Sequence, residues 1–142
     1  MIVTTARILV AIAACLALDA AHAADKPCTK ADATNADKAI ERVLNWSQLQ
    51  KAWVDYRHCD TGVVADNYTD ALMRMMVDWK SMDALATAIQ KDAQYKEFIY
   101  AHLASPAAKD DHAMVYSRAR TGCPKGLDEF CTELSEAVKP AK

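Results

Sequence analysis

Little in this chain interrupts a helix. It holds only three glycines and four prolines, and the prolines sit near the ends or in connections. No long stretch alternates apolar with polar residues as a half-buried strand does. Alanine, leucine, methionine, lysine and glutamine are plentiful instead, and these residues lose little on entering a helix. Other absences bear on function. No Lys/Arg cluster accompanies the net charge of −2, and a nucleic-acid backbone is gripped by a concentrated basic face. That argues against a nucleic-acid partner. No glycine-rich phosphate loop, Ser-x-x-Lys box or nucleophile elbow occurs, and no Cys/His pair has a familiar zinc-ligand spacing.

The only long apolar run opens the chain. Arg7 precedes it, and it extends from Ile8 to Leu18, short of the roughly 20 residues that span a bilayer. It leads to Ala21-His22-Ala23, the small-x-small pattern that signal peptidase accepts. Residues 1–23 therefore read as a secretory signal, with Ala24 as the first mature residue and the periplasm as destination. A second reading of the same run uses Ile12-Ala13-Ala14-Cys15, which resembles a lipoprotein processing box and would lipidate Cys15. The short apolar core before Cys15 and the bulky Leu16 after it favour cleavage at Ala23. No second apolar span follows, so no transmembrane segment is expected in the mature chain.

Export decides how "DYRHCDTGVVAD", residues 55–66, is read. Without Cys15 four cysteines remain, Cys28, Cys59, Cys123 and Cys131. An even set in a small exported chain implies two disulfides. Of the three connectivities, Cys123 with Cys131 is favoured, because "CPKGLDEFC" can turn back onto the following helix. That leaves Cys28 to pair with Cys59. A catalytic His58-Cys59 pair is disfavoured: neighbours on one backbone point apart, and the thiol would have to stay reduced.

Residues 24–33 read as a loose polar segment and 34–142 as a single all-α domain of five or six helices in an orthogonal array, stapled by two disulfides. The first helix is expected near Thr34, where "TNAD" approximates a capping box, with Ile40, Val43 and Leu44 on its apolar stripe. Asn45 or Ser47 interrupts it, and Leu49, Trp53 and Tyr56 resume helical spacing. "CDTG" makes a turn, with Asp60 and Thr61 as candidate caps. From Val63 to Lys80 a wide apolar face is spaced at three and four residues: Val64, Tyr68, Ala71, Leu72, Met75, Met76 and Trp79. Ser81 opens a short helix, and another spans about Ala93 to Leu103. After "ASPAAKDD", Asp110 or Asp111 starts a helix that stops at Gly122 before Pro124. A last helix carries Leu127, Phe130, Cys131, Leu134 and Val138. The core is expected around Trp53, Met76, Trp79 and Phe98.

Candidate chemistry is sparse. His102 and His112, with Asp110 and Asp111, could hold a cation but read better as exposed cap residues. Met73, Met75, Met76, Met82 and Met114 offer soft thioethers for copper, although Met75 and Met76 lie on the apolar stripe as adaptable filling. Asp66, Asp70 and Arg74 step along one helix as a solvated face with an Asp70–Arg74 pair. No cofactor, no metal and no catalytic residue is expected.

"WSQLQKAWVDYRHCDTGVVADNYTDALMRMM" with "CPKGLDEFC", residues 46–76 and 123–131, resembles a group of small exported helical proteins of proteobacteria that carry no assigned activity. It is similar, in architecture alone, to periplasmic immunity proteins that neutralise peptidoglycan amidases delivered by type VI secretion. What the likeness implies is a non-enzymatic inhibitor with a protein partner, a secreted effector enzyme in its most concrete form. The alternative is a carrier of a small ligand or copper. Stripes given to the core cannot also face a partner, so contacts are expected on "CDTG" with Asp60 and Asp66, and on "SPAAKDD" with Asp110, Asp111 and His112.

Overall fold

The computed structural model describes residues 26–140. The expected signal, residues 1–23, and Cys15 lie outside them. The described residues are all-helical without a strand, in seven α-helices rather than five or six: α1 Lys30–Glu41, α2 Trp46–Tyr56, α3 Gly62–Asp78, α4 Met82–Lys91, α5 Ala93–Leu103, α6 His112–Thr121 and α7 Asp128–Ala137. Two 3₁₀ turns, Arg57–Cys59 and Pro106–Asp111, bridge α2 to α3 and α5 to α6. The two disulfides are Cys28–Cys59 and Cys123–Cys131.

The extra helix comes from a clean break at Asn45. Its side chain accepts the Gln48 N–H at 3.0 Å, and the Gln48 side chain accepts the Leu44 N–H at 2.8 Å. This reciprocal cap ends one helix and opens another within four residues. Leu44, assigned to the first helix's apolar stripe, instead sits 83% exposed in the break.

α1 also begins earlier than expected, inside the segment read as loose. Thr-x-x-Asp occurs twice here, and the first copy caps. Thr29 Oγ1 accepts the Asp32 N–H at 3.1 Å, and Asp32 Oδ2 accepts the Thr29 N–H at 3.4 Å. In the second copy, Thr34 donates back to the Lys30 carbonyl and Asp37 accepts from Asn67 of α3. The Cys28–Cys59 bridge holds the chain just before the first box, which favours starting there.

α3 is the central helix, in contact with α1, α2, α5, α6 and the Pro106–Asp111 turn. Its inward face of Tyr68, Leu72 and Met76 meets Leu49 and Trp53 of α2 and Phe98, Ile99 and Leu103 of α5 in one buried cluster. α6 and α7 pair as a hairpin closed by Cys123–Cys131. On its other side α7 is tied to α5: Glu133 accepts from Lys96 at 2.8 Å and from the Tyr100 hydroxyl at 3.1 Å.

Two carboxylates at these joints titrate below the ordinary range. Asp32 is lowered first by the Thr29 hydroxyl, and Glu133 first by the Lys96 ammonium. A lowered folded pKa contributes stability above the unfolded value of about 4 and loses it as pH falls through the folded value. The urea midpoint should therefore be level between pH 7 and 5.5 and drop below about pH 4. Asp32→Asn with Glu133→Gln should blunt that drop; an unchanged acid limb in the double variant would refute the assignment.

Trp79 is half-buried and packs against the edge of the core rather than at its centre. It ends α3 in the left-handed conformation at φ 55°, and Ser81 follows at φ 51°. Two indoles pin this connector: Trp79 Nε1 donates to the Gly122 carbonyl at 2.8 Å, and Trp46 Nε1 donates to the Lys80 carbonyl at 3.0 Å. Ser81 makes no side-chain cap bond, so its side chain contributes nothing to offset the strain. A left-handed residue costs about 1–2 kcal/mol, and glycine's extra unfolded entropy about 0.5–1 kcal/mol. Ser81→Gly should thus stabilise by about 0.5–1 kcal/mol, visible as a thermal midpoint raised by a few degrees. A lowered midpoint would show that the serine side chain is needed.

Candidate functional site

The turn containing Cys59 is organised from inside. Cys59 is fully buried and bridged to Cys28. The residues on either side of it also reach inward. The His58 side chain is almost enclosed, with Nε2 3.4 Å from Asp32 Oδ2 of α1. Asp60 Oδ2 lies 3.1 Å from Nε2 of His102 on α5, and His102 Nδ1 lies 2.8 Å from Thr69 Oγ1 on α3. The Thr69 hydroxyl also reaches the Ala65 carbonyl at 3.1 Å.

Two expectations change here. Asp60 caps nothing: Thr61 holds the cap position of α3, without a side-chain bond, and the Asp60 carboxylate is engaged with His102. His102 is no exposed cap residue either, being 7% exposed with its ring centroid 4.5 Å from that of Phe98. A signal for this was present, since His102 stands four residues after Phe98 and three after Ile99, on the stripe of α5. What periodicity omits is a partner 42 positions away.

Carboxylate, imidazole and hydroxyl stand in the order that activates a nucleophile. The hydroxyl, however, is on a residue 1% exposed, so no substrate reaches it. The chain suits bracing instead. With a neutral ring, Nε2–H donates to Asp60 and the Thr69 hydroxyl donates to Nδ1. With a charged ring, both nitrogens donate and the hydroxyl turns to Ala65. Either way the polar atoms in line are satisfied, as burial demands. Asp60 Oδ1 and His58 Nε2 remain without a hydrogen bond.

The second connection faces outward. Ser105 opens the Pro106–Asp111 turn by accepting the Ala107 N–H at 3.3 Å, and Ala108 is buried beneath it. The turn packs against α3 and α6. His112 closes it, its Nε2 donating to the Leu103 carbonyl at 2.7 Å. His112 thus fastens the turn, rather than standing out for a partner. Asp110 and Asp111 are exposed. Asp111 holds the position before α6 with no side-chain cap bond, and neither carboxylate forms a hydrogen bond or ion pair with the described residues. Asp66 and Asp70 are exposed on α3, the helix beneath the turn. The expected Asp70–Arg74 pair is not formed among the described residues. Val63, three residues before Asp66 on the same helical face, is an exposed apolar residue.

The other candidates scatter. Met73, Met76 and Met82 are buried in the core, Met75 is half-buried, and Met114 is exposed on α6. Among the described residues, no three His, Cys, Asp or Glu side chains converge as a metal site would require. Two surface clefts, of about 190 Å³ beside Arg42 and Lys51 and about 150 Å³ beside Lys96 and Glu133, fall below the roughly 300 Å³ at which small-molecule pockets begin. Set against known proteins, the chain matches no family model, no curated protein and no solved structure.

Proposed function

We propose that this is an exported, periplasmic binding protein that inhibits a partner enzyme by presenting the Pro106–Asp111 turn and the adjoining α3 face. Its most concrete form is immunity against a cell-wall-degrading effector. One observation carries the reading: Asp110 and Asp111 are exposed, cap nothing, and sit on a turn fastened at both ends. Carboxylates without a local structural task are suited to a basic rim or to backbone amides in a cleft. A turn already ordered loses little further entropy on docking. Two disulfides and the absence, among the described residues, of any helix fit to cross a membrane are compatible with export. Asp60, facing His102, is left out of the contact surface, while Asp66 remains in it.

Secreted effectors encoded beside this gene are the partners to assay first. Against the effector that binds, Asp110→Ala and Asp111→Ala should each weaken affinity about tenfold, since close interfacial charge pairs contribute about 1.5 kcal/mol or more. The double variant should also flatten the salt dependence. Its melting temperature should stay at the parent value, because no cap bond is lost. A double variant that binds like the parent, measured by titration calorimetry, sinks the placement.

A further inference from the structure

We infer that the Asp60–His102–Thr69 chain is the brace that sets how the docking turn leaves α5, which makes His102 a positioning residue of the proposed site. This rests on the reading just given, and its test does not need the partner. The His102 side chain is held from two sides, by Asp60 of the α2–α3 corner at 3.1 Å and by Thr69 of α3 at 2.8 Å. Its own backbone carbonyl accepts the Ser105 N–H at 3.1 Å, which ties the residue that opens the turn to the end of α5. Ser105 then supplies acceptors for the Ala107 and Ala108 N–H groups at 3.3 and 3.0 Å. The next residue, Leu103, supplies the carbonyl that His112 closes on. The last turn of α5 therefore carries both fastenings of the docking turn, and the imidazole is where that helix end is fixed to two other elements. Phe98 packs against the ring but offers no polar anchor.

The readout is amide hydrogen exchange of the full mature chain, followed residue by residue. In His102→Ala the Ser105, Ala107 and Ala108 amides should exchange at least about tenfold faster, as local opening replaces a satisfied buried pair. Amides of α7, such as Leu134, should keep the parent rate. Thr69→Val removes the hydroxyl while keeping the volume, and covers the case in which the alanine variant does not fold. It should give the same local pattern to a smaller degree. His102→Gln can still donate to Asp60 and should restore most of the protection, which a role in packing alone would not produce. Unchanged turn amides in Thr69→Val and His102→Ala, or a uniform rise across all helices, would overturn the brace. Failure of the docking reading shows separately, as parent-like binding by the Asp110→Ala, Asp111→Ala variant.

Discussion

Removing the Cys28–Cys59 bridge, by Cys28→Ser with Cys59→Ala, should lower the unfolding free energy by about 3.7 kcal/mol, from loop-closure entropy over a sequence separation of 31. Small domains have roughly 5–15 kcal/mol in all, so the loss is a large part of the whole. Alanine is the replacement at position 59 because the site is fully buried, and a serine hydroxyl there would add its own desolvation cost. The bridge at Cys123–Cys131, with a separation of only 8, should contribute about 2.5 kcal/mol by the same entropy. The order of the two is thus predicted along with the sizes. Urea unfolding at pH 7 provides the test. A Cys28/Cys59 variant within about 0.5 kcal/mol of the parent, or one more stable than the Cys123/Cys131 variant, would contradict the entropic account.

The bridge does more than close a loop. It fixes the turn from which His58 reaches α1 and Asp60 reaches α5, so the reduced chain has those contacts to hold as well. Most of their cost should appear as faster unfolding near α1, with α6 and α7 keeping their own bridge.

The disulfides and the long helices were legible because each depends on local or countable features. α3 and α5 carry apolar residues at three- and four-residue steps, and α6 ends at Gly122 as expected. Four cysteines, once an even set is read as disulfides, allow only three connectivities. α1 was misplaced by one turn because Thr29-x-x-Asp32 and Thr34-x-x-Asp37 are the same signal, and only a disulfide anchor distinguishes them. Trp79 and Ser81 adopt left-handed backbone without a glycine to announce it, in a connector held by indole bonds that span 43 and 34 positions.

The geometry of the candidate site was legible in part for the same reason. Exposure of Asp66, Asp110 and Asp111 follows from their helical or turn positions. The inward turn of Asp60 does not, because it depends on His102 in α5, the third helix after it. Likewise, nothing in the spacing of His112 announces that its ring closes on the Leu103 carbonyl. Sequence spacing finds faces, and long-range polar partners decide which members of a face are already occupied.

Trp53→Ala should be about as costly as losing the Cys28–Cys59 bridge, at roughly 3–5 kcal/mol, the range for truncating a buried large aromatic. Trp53 is 5% exposed, with Tyr95 at 5.2 Å and Phe98 at 5.7 Å between ring centroids. The Arg57 guanidinium lies 5.2 Å from its ring while donating to Gln94. The cavity would open where α2 meets α5, and rigid helices cannot collapse to fill it. Phe98 is shared: it packs on Trp53, on Tyr68 edge-on at 5.2 Å, and on His102 at 4.5 Å. A hole beside Phe98 therefore loosens the apolar wall behind the His102 brace. Trp53→Phe keeps an aromatic in place and should cost less than half as much. Urea unfolding separates these outcomes, with the slope held equal so that midpoints compare directly. If Trp53→Ala falls within about 1 kcal/mol of the parent, the aromatic cluster is not the core's main support. Amide exchange at Ala107 and Ala108 in Trp53→Ala adds a second reading: faster exchange there than in α7 would place Phe98 on the route from the core to the Pro106–Asp111 turn.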